Sequence, residues 1–256
     1  MSSTAVTQTT VTPRHSSSRR GRFTLIVVLA GLLVLLAAIP GWSQATWEGP
    51  TGVFFNPLAL TLPAGTSQAS VHYLDLSGSG SLTTLSYTAG LAHGLEAGVA
   101  HIGLAVGGSS NSNSVFGKWV ALPAKGDAPA VAVGTTWRFP ESGDDANGDA
   151  YVAITKIFPA RTPIIASLTV RETNGLWSGL FGQANNWTTQ VGGFLGVVAT
   201  PKLIVGGEYY QQPDSDAWTD VAVRYTASSS TNLDLGWAHL SDTFDNQYAV
   251  AVSSRF

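Results

Sequence analysis

The last eleven residues, Asn246 to Phe256, constrain this chain more than any other stretch. Read two at a time, Tyr248, Val250, Val252, Ser254 and Phe256 fall on one side, and Gln247, Ala249, Ala251, Ser253 and Arg255 on the other. Alternation of this length predicts a β-strand. One face is apolar and framed by rings, while the other is small or polar. That division suits a strand with lipid on one side and a wetter interior on the other. Inside hydrocarbon every backbone amide and carbonyl must be paired, so such strands have to close into a barrel without a free edge. A soluble β-sandwich also alternates and is the rival fold.

The pattern recurs. About twelve alternating segments follow Gly65, each near the roughly 9–11 residues that a tilted membrane strand needs. They are expected at 66–75, 80–88, 94–103, 113–121, 128–138, 149–157, 163–172, 186–199, 202–211, 216–226, 231–240 and 246–256. The faces divide clearly where Ile164, Ala166, Leu168 and Val170 oppose Ser167, Thr169 and Arg171, and where Val221, Val223 and Tyr225 oppose Asp220, Ala222 and Arg224. In 113–121 and 149–157 the phase is ambiguous. Short connections (89–93, 122–127, 158–162, 200–201, 227–230) alternate with mostly longer polar ones (104–112, 140–148, 173–185, 241–245). Short periplasmic turns with longer external loops are a membrane-barrel trait, and an even strand count puts both barrel ends on the short-turn side. Trp119, Trp137, Trp187, Trp237, Tyr87, Tyr209 and Tyr225 fall near segment ends on the apolar phase, where interfacial girdles belong.

Charge content separates the two folds. Asp, Glu, Lys and Arg make up 11% of the chain against 44% hydrophobic residues, where a water-soluble domain carries about 25% charged residues. A sandwich would need more Lys and Glu on its solvent face. The chain has no Cys, which excludes a disulfide framework and a thiolate metal site. Arg14, Arg19, Arg20 and Arg22 all precede residue 46; without them a formal net charge of −3 becomes about −7. Nucleic acid is therefore not an expected partner.

Residues 1–45 read as a signal peptide. The basic stretch Arg19-Arg20-Gly21-Arg22 precedes an apolar run from Phe23 to Ile39, and Ser43-Gln44-Ala45 supplies small residues for cleavage after Ala45. An uncleaved anchor is the alternative, since the run is about 17 residues. Residues 46–65 are rich in Pro and Gly and carry no long periodic element, which fits a periplasmic lead-in, a small plug entering the lumen or a loose tail. Residues 66–256 are then the barrel.

With its alternating apolar residues and final Phe256, the last strand resembles that of bacterial outer-membrane β-barrel proteins. The resemblance implies that Tyr248, Val250, Val252 and Phe256 form the signal read by the barrel-insertion machinery. It also implies outer-membrane lipid and lipopolysaccharide as surroundings, with the oligomeric state open. Ser254 departs from the pattern. The Phe54-Phe55-Asn56-Pro57 and Leu62-Pro63-Ala64-Gly65 lead-in, followed by turn-plus-Leu-x-x-Gly strands, resembles uncharacterised barrels of the YjbH type, which are associated with exopolysaccharide export.

The phase that puts apolar residues in lipid turns Glu96, Lys118, Lys156, Arg171, Glu208, Asp220, Arg224, Asp234 and Arg255 into the lumen. Both signs are nearly balanced. They read as a selectivity lining for a polar solute or as ion pairs filling a narrow interior. Hydrolase chemistry would need a nucleophile beside an oriented base; His101 and His239 are lipid-phase histidines outside any motif, and no catalytic residue is assigned. Asp145, Asn147 and Asp149 have the spacing of calcium ligands, but Lys156 stands where a bidentate Glu is required, so a polar external turn is expected and no metal or cofactor. Acidic loop residues such as Glu141, Asp214 and Asp242 could hold divalent cations between lipopolysaccharide phosphates. The function expected is a pore or export conduit for small polar solutes or glycan chains. The alternative is a structural or adhesion barrel with a filled, non-conducting lumen.

Overall fold

The computed structural model describes residues 44–76, 80–106, 110–141, 146–174, 187–211, 217–241 and 244–256. Residues 1–43 of the expected signal peptide 1–45 and the acidic loop positions Asp144, Asp145, Asp214, Asp216 and Asp242 lie outside these residues. Two short strands, β1 (Gln44–Ala45) and β2 (Thr51–Gly52), pair with each other. Twelve longer ones follow: β3 (Ser67–Asp75), β4 (Gly80–Gly90), β5 (Leu95–Val106), β6 (Ser110–Leu122), β7 (Ala130–Pro140), β8 (Asn147–Phe158), β9 (Ile164–Thr173), β10 (Thr188–Thr200), β11 (Leu203–Gln211), β12 (Trp218–Thr226), β13 (Thr231–Ser241) and β14 (Phe244–Arg255). Each is antiparallel to its chain neighbour, and β14 pairs back onto β3 with Val252 opposite Val71, so the sheet closes on itself. The fold is all-β, a closed twelve-stranded antiparallel barrel.

The alternation of the sequence becomes two faces. On β9, Leu168 and Val170 are exposed on the outside, while Ser167, Thr169 and Arg171 are buried within. Aromatic side chains on the outside gather at the two rims. Tyr87, Trp119, Phe158, Tyr225 and Phe256 are exposed toward the short-turn end, and Trp137, Phe139, Trp187, Tyr209, Trp237 and Tyr248 toward the long-loop end. Aliphatic residues such as Val99, Val152, Leu195, Val221 and Leu235 occupy the outer surface between them. An apolar band between aromatic girdles is the exterior of a barrel that stands in an outer membrane. In the final strand Tyr248 and Phe256 are exposed, Val250 is half-buried and Val252 is buried.

Strand ends differ most from the periodicity in one region. Residues 104–112 read as a polar loop, yet β5 runs to Val106 and β6 begins at Ser110, with Leu104 opposite Ser110. The ladder needs only paired backbone groups, so it continues through Asn111, Ser112 and Asn113 after the apolar signal has stopped. At the opposite end, His93 and Gly94 both take positive φ (59° and 73°) to reverse the chain between β4 and β5.

Residues 44–62 lie inside the ring. Their side chains are almost all buried, and their polar groups bond to inner positions of strands around most of the circumference. The segment rises to Trp47 and Glu48 near the long-loop end, returns through β2, rises again to Phe55 and leaves past Leu62 and Pro63. At that exit Gly90 is required: a Cβ there would stand 2.2 Å from the Pro63 carbonyl oxygen. Trp47, Phe54, Phe55, Tyr210 and Trp218 form one buried cluster with Leu74, Leu76 and Leu82, and the Phe55 and Trp218 ring centroids are 4.4 Å apart.

Candidate functional site

The lumen is where the charged side chains converge, and three groups of them hold the inner segment. The first lies toward the short-turn end. Glu96 and Lys118 are rung partners on β5 and β6 and pair at 3.0 Å, both fully buried. The Glu96 carboxylate accepts from the backbone N–H of Thr51 at 2.7 Å and of Leu62 at 3.1 Å. Lys118 donates to the carbonyls of Thr51 at 2.6 Å and Leu58 at 3.1 Å. A charge out of water is tolerable when it is paired and its remaining hydrogen-bonding capacity is used, and here both conditions are met through the segment.

The second group closes the long-loop end. Glu48, from the turn between β1 and β2, accepts from Arg138 Nη2 at 3.1 Å and Arg171 Nη1 at 3.0 Å. Arg138 also bonds Asp149, which lies 3.9 Å from Arg171. Two guanidiniums and two carboxylates make a formally neutral buried quartet. Its members come from β7, β8, β9 and the inner segment.

The third group spans β11 to β13. Glu208 accepts from the N–H groups of Phe55 at 2.8 Å and Asn56 at 3.1 Å and faces Asp220 across the rung. Arg224 pairs with Asp234 at 2.9 Å and donates to the Gly52 carbonyl at 3.1 Å. Neutral groups complete the attachment. Thr155 accepts from Ala59 N–H at 2.8 Å, Tyr210 donates to Asn56 Oδ1 at 3.1 Å, and buried His72 meets Trp47 edge-on with ring centroids 5.3 Å apart.

Of the nine side chains expected in the lumen, Glu96, Lys118, Arg171, Glu208, Asp220, Arg224, Asp234 and Arg255 are buried on the inner phase. Lys156 is not. The inner phase of β8 is Asp149, Tyr151, Ala153 and Thr155, which puts Lys156 on the outer phase near the short-turn rim. There its ammonium bonds the Asp127 carbonyl and lies 5.9 Å from the Phe158 ring centroid. A lysine on the lipid face reaches for the rim with its charged end, and the ambiguous phase of this segment hid that.

The sequence reading missed Glu48, Arg138 and Asp149. Trp137 on the apolar phase was a signal that Arg138 turns inward. Asp149 heads the expected segment 149–157, whose phase is ambiguous, and also ends the calcium-like turn; β8 begins two residues earlier and aims it at Arg138. Glu48 carries no signal, because its segment has no period from which an orientation follows.

His101 and His239 are on the outer phase. His101 Nδ1 is 2.9 Å from Asn113 Oδ1. The outer-phase neighbour two residues along β5 is Gly103, which supplies no nucleophile to this pair.

Comparison with solved structures finds the same architecture at low sequence identity. The KdgM porin superposes with a TM-score of 0.59 at 13% identity, covering 74% of this chain and 99% of that one. The KdgM porin in complex with disordered oligogalacturonate gives 0.57 at 13% identity, with 75% and 99% covered. The NanC porin gives 0.53 at 14% identity, with 73% and 98% covered. These likenesses establish the fold, that of an outer-membrane β-barrel. No curated protein matches the sequence. A family model described as "Protein of unknown function (DUF3034)" matches residues 125–254, half of the chain and strands β7 to β14 of the barrel. This chain belongs to that family, DUF3034.

Proposed function

We propose that this protein is an outer-membrane channel for small polar solutes, closed in the described conformation by its own residues 44–62, which act as a plug. The observation that carries this reading is the chemistry of the plug's attachment. Glu96, Lys118, Arg171, Glu208 and Arg224 all hold it through hydrogen bonds to backbone groups or to Glu48. Water can replace such bonds, so a departing plug would leave a hydrated, charged wall behind. A lumen evolved only to be filled needs no buried charge, since apolar side chains of similar volume are as stable or more so.

The inner charges of the two signs are nearly equal in number, which favours neutral or zwitterionic solutes over a polyanion. A glycan chain remains the finer reading. It is supported by the sequence resemblance to export barrels and by the oligogalacturonate in the KdgM porin complex; a neutral oligosaccharide is the form that suits this wall.

The second reading, a structural barrel with a permanently filled lumen, is favoured by the aromatic cluster of Trp47, Phe55, Tyr210 and Trp218. Planar-bilayer recording separates the two. The channel reading expects rare conductance steps from the intact protein and frequent ones after E48A/E96A, blocked by a neutral oligosaccharide if glycans pass. Silence from both proteins at every voltage would leave the structural barrel.

A further inference from the structure

The outward cations of the barrel all stand on one arc of one rim. Of the lysines and arginines beyond residue 45, Lys118, Arg138, Arg171, Arg224 and Arg255 are buried inside. The other four are Lys125 in the turn after β6, Lys156 near the end of β8, Arg161 in the turn after β8 and Lys202 in the turn after β10. The long-loop end has no Lys or Arg on its outer surface or in its loops. Three consecutive short turns therefore carry the outward positive charge, against a single acid, Asp127. Lys156 is offset by that acid, whose exposed carboxylate lies 3.7 Å from its ammonium. Lys125, Arg161 and Lys202 are exposed, and no carboxylate among the described residues pairs with them.

Arg161 and Lys202 are on neighbouring turns, which Val198 N–H joins by donating to the Pro163 carbonyl at 2.9 Å. Just inside those turns, Ile164 is the rung partner of both Phe158 and Val197. All three side chains are exposed, so an apolar row crosses β8, β9 and β10 beside the two cations. A guanidinium and an ammonium without a carboxylate partner, set over apolar surface at the edge of the bilayer, suit an anionic headgroup attached to acyl chains. We infer that this corner of the rim binds one anionic phospholipid, its phosphate between Arg161 and Lys202 and one acyl chain along Ile164 and Val197. The short-turn end meets the periplasmic leaflet, so the occupant is a phospholipid and not lipopolysaccharide. The site is independent of whether the lumen conducts.

Native mass spectrometry of the purified protein in non-ionic detergent tests it, with dioleoyl phosphatidylglycerol and dioleoyl phosphatidylethanolamine as the probes. Both carry a phosphate on the same chains, but the ethanolamine ammonium cancels its charge. A surface cation favours an anionic lipid about fivefold, so two should favour phosphatidylglycerol by about 25-fold. R161Q and K202Q should each lower that preference by about fivefold, and K125Q, on the turn beyond, by less. K125Q/R161Q/K202Q should retain both lipids equally, with phosphatidylethanolamine held as it is by the unaltered protein. Equal retention of both lipids by the unaltered protein overturns the proposal, as does a preference that survives the triple variant. Loss of both lipids in the triple variant also counts against it, since the turns would then shape the wall and not bind a headgroup.

Discussion

The Arg171 guanidinium donates to the Glu48 carboxylate at 3.0 Å across 123 residues of sequence. Each has one further charged partner, Arg138 for Glu48 at 3.1 Å and Asp149 for Arg171 at 3.9 Å. Arg138 and Arg171 share Glu48 and Asp149 between them, so removing Glu48 leaves two buried guanidiniums on one carboxylate. Breaking a buried pair from one side costs about 3–5 kcal/mol.

That cost should appear as release of the inner segment and not as loss of the barrel, whose ladders do not involve Glu48. A chymotrypsin-type protease reads the difference, because Trp47, Phe54 and Phe55 are its targets and all three are buried. E48A should raise the cleavage rate within residues 44–62 by about two orders of magnitude, the equilibrium equivalent of about 3 kcal/mol. An unchanged rate would mean that the aromatic cluster alone holds the segment.

Glu96 and Lys118 allow a sharper test of the same idea. K118M leaves Glu96 buried with only N–H and hydroxyl donors, and E96Q leaves the ammonium with uncharged carbonyl and hydroxyl acceptors. Each single variant should lose more stability than the pair changed together, with a coupling of roughly 1–3 kcal/mol in a double-mutant cycle. Urea unfolding of protein reconstituted in lipid measures it. Additive losses would show that the two side chains hold the segment separately.

The barrel was legible in the sequence because lipid and lumen impose opposite demands on adjacent residues. Val170 outside and Arg171 inside need no long-range knowledge to be told apart. Lys156 shows where that reasoning stops. Ala153, Ile154 and Thr155 before it carry too little contrast to fix the phase, and a long side chain at the rim is tolerated facing either way. Residues 44–62 were illegible for another reason. Their conformation is dictated by acceptors and donors on at least eight different strands, such as Glu208 for Phe55 and Asn56, and nothing local to Phe55 encodes that partner.

The lipid band predicts a depth dependence. Leu195 is 63% exposed near the centre of β10, and Leu122 is 61% exposed at the short-turn end of β6. An arginine on the lipid face costs about 2–4 kcal/mol at the bilayer midplane and about 0–1 kcal/mol near the interface. L195R should therefore destabilise the barrel by several times as much as L122R in lipid-vesicle unfolding titrations. Equal losses would show that the band is misplaced along the strands.

Inside, Phe194 lies across two glycines. A Cβ on Gly196 would stand 2.3 Å from its Cζ, and one on Gly206 would stand 2.4 Å from its Cε2. Gly196 and Gly206 are rung partners on β10 and β11, so the ring covers a patch of bare backbone and packs with Val53 and Leu58 of the inner segment. G206A should cost about 1–3 kcal/mol, the usual penalty for forcing a methyl group into a filled interior. Shortening the ring removes the obstacle, so G206A should cost less in an F194L background than alone. If the two losses simply add, the ring does not rest on Gly206, and the hold of β10 and β11 on Val53 and Leu58 must come from Val198 and Ile204 instead.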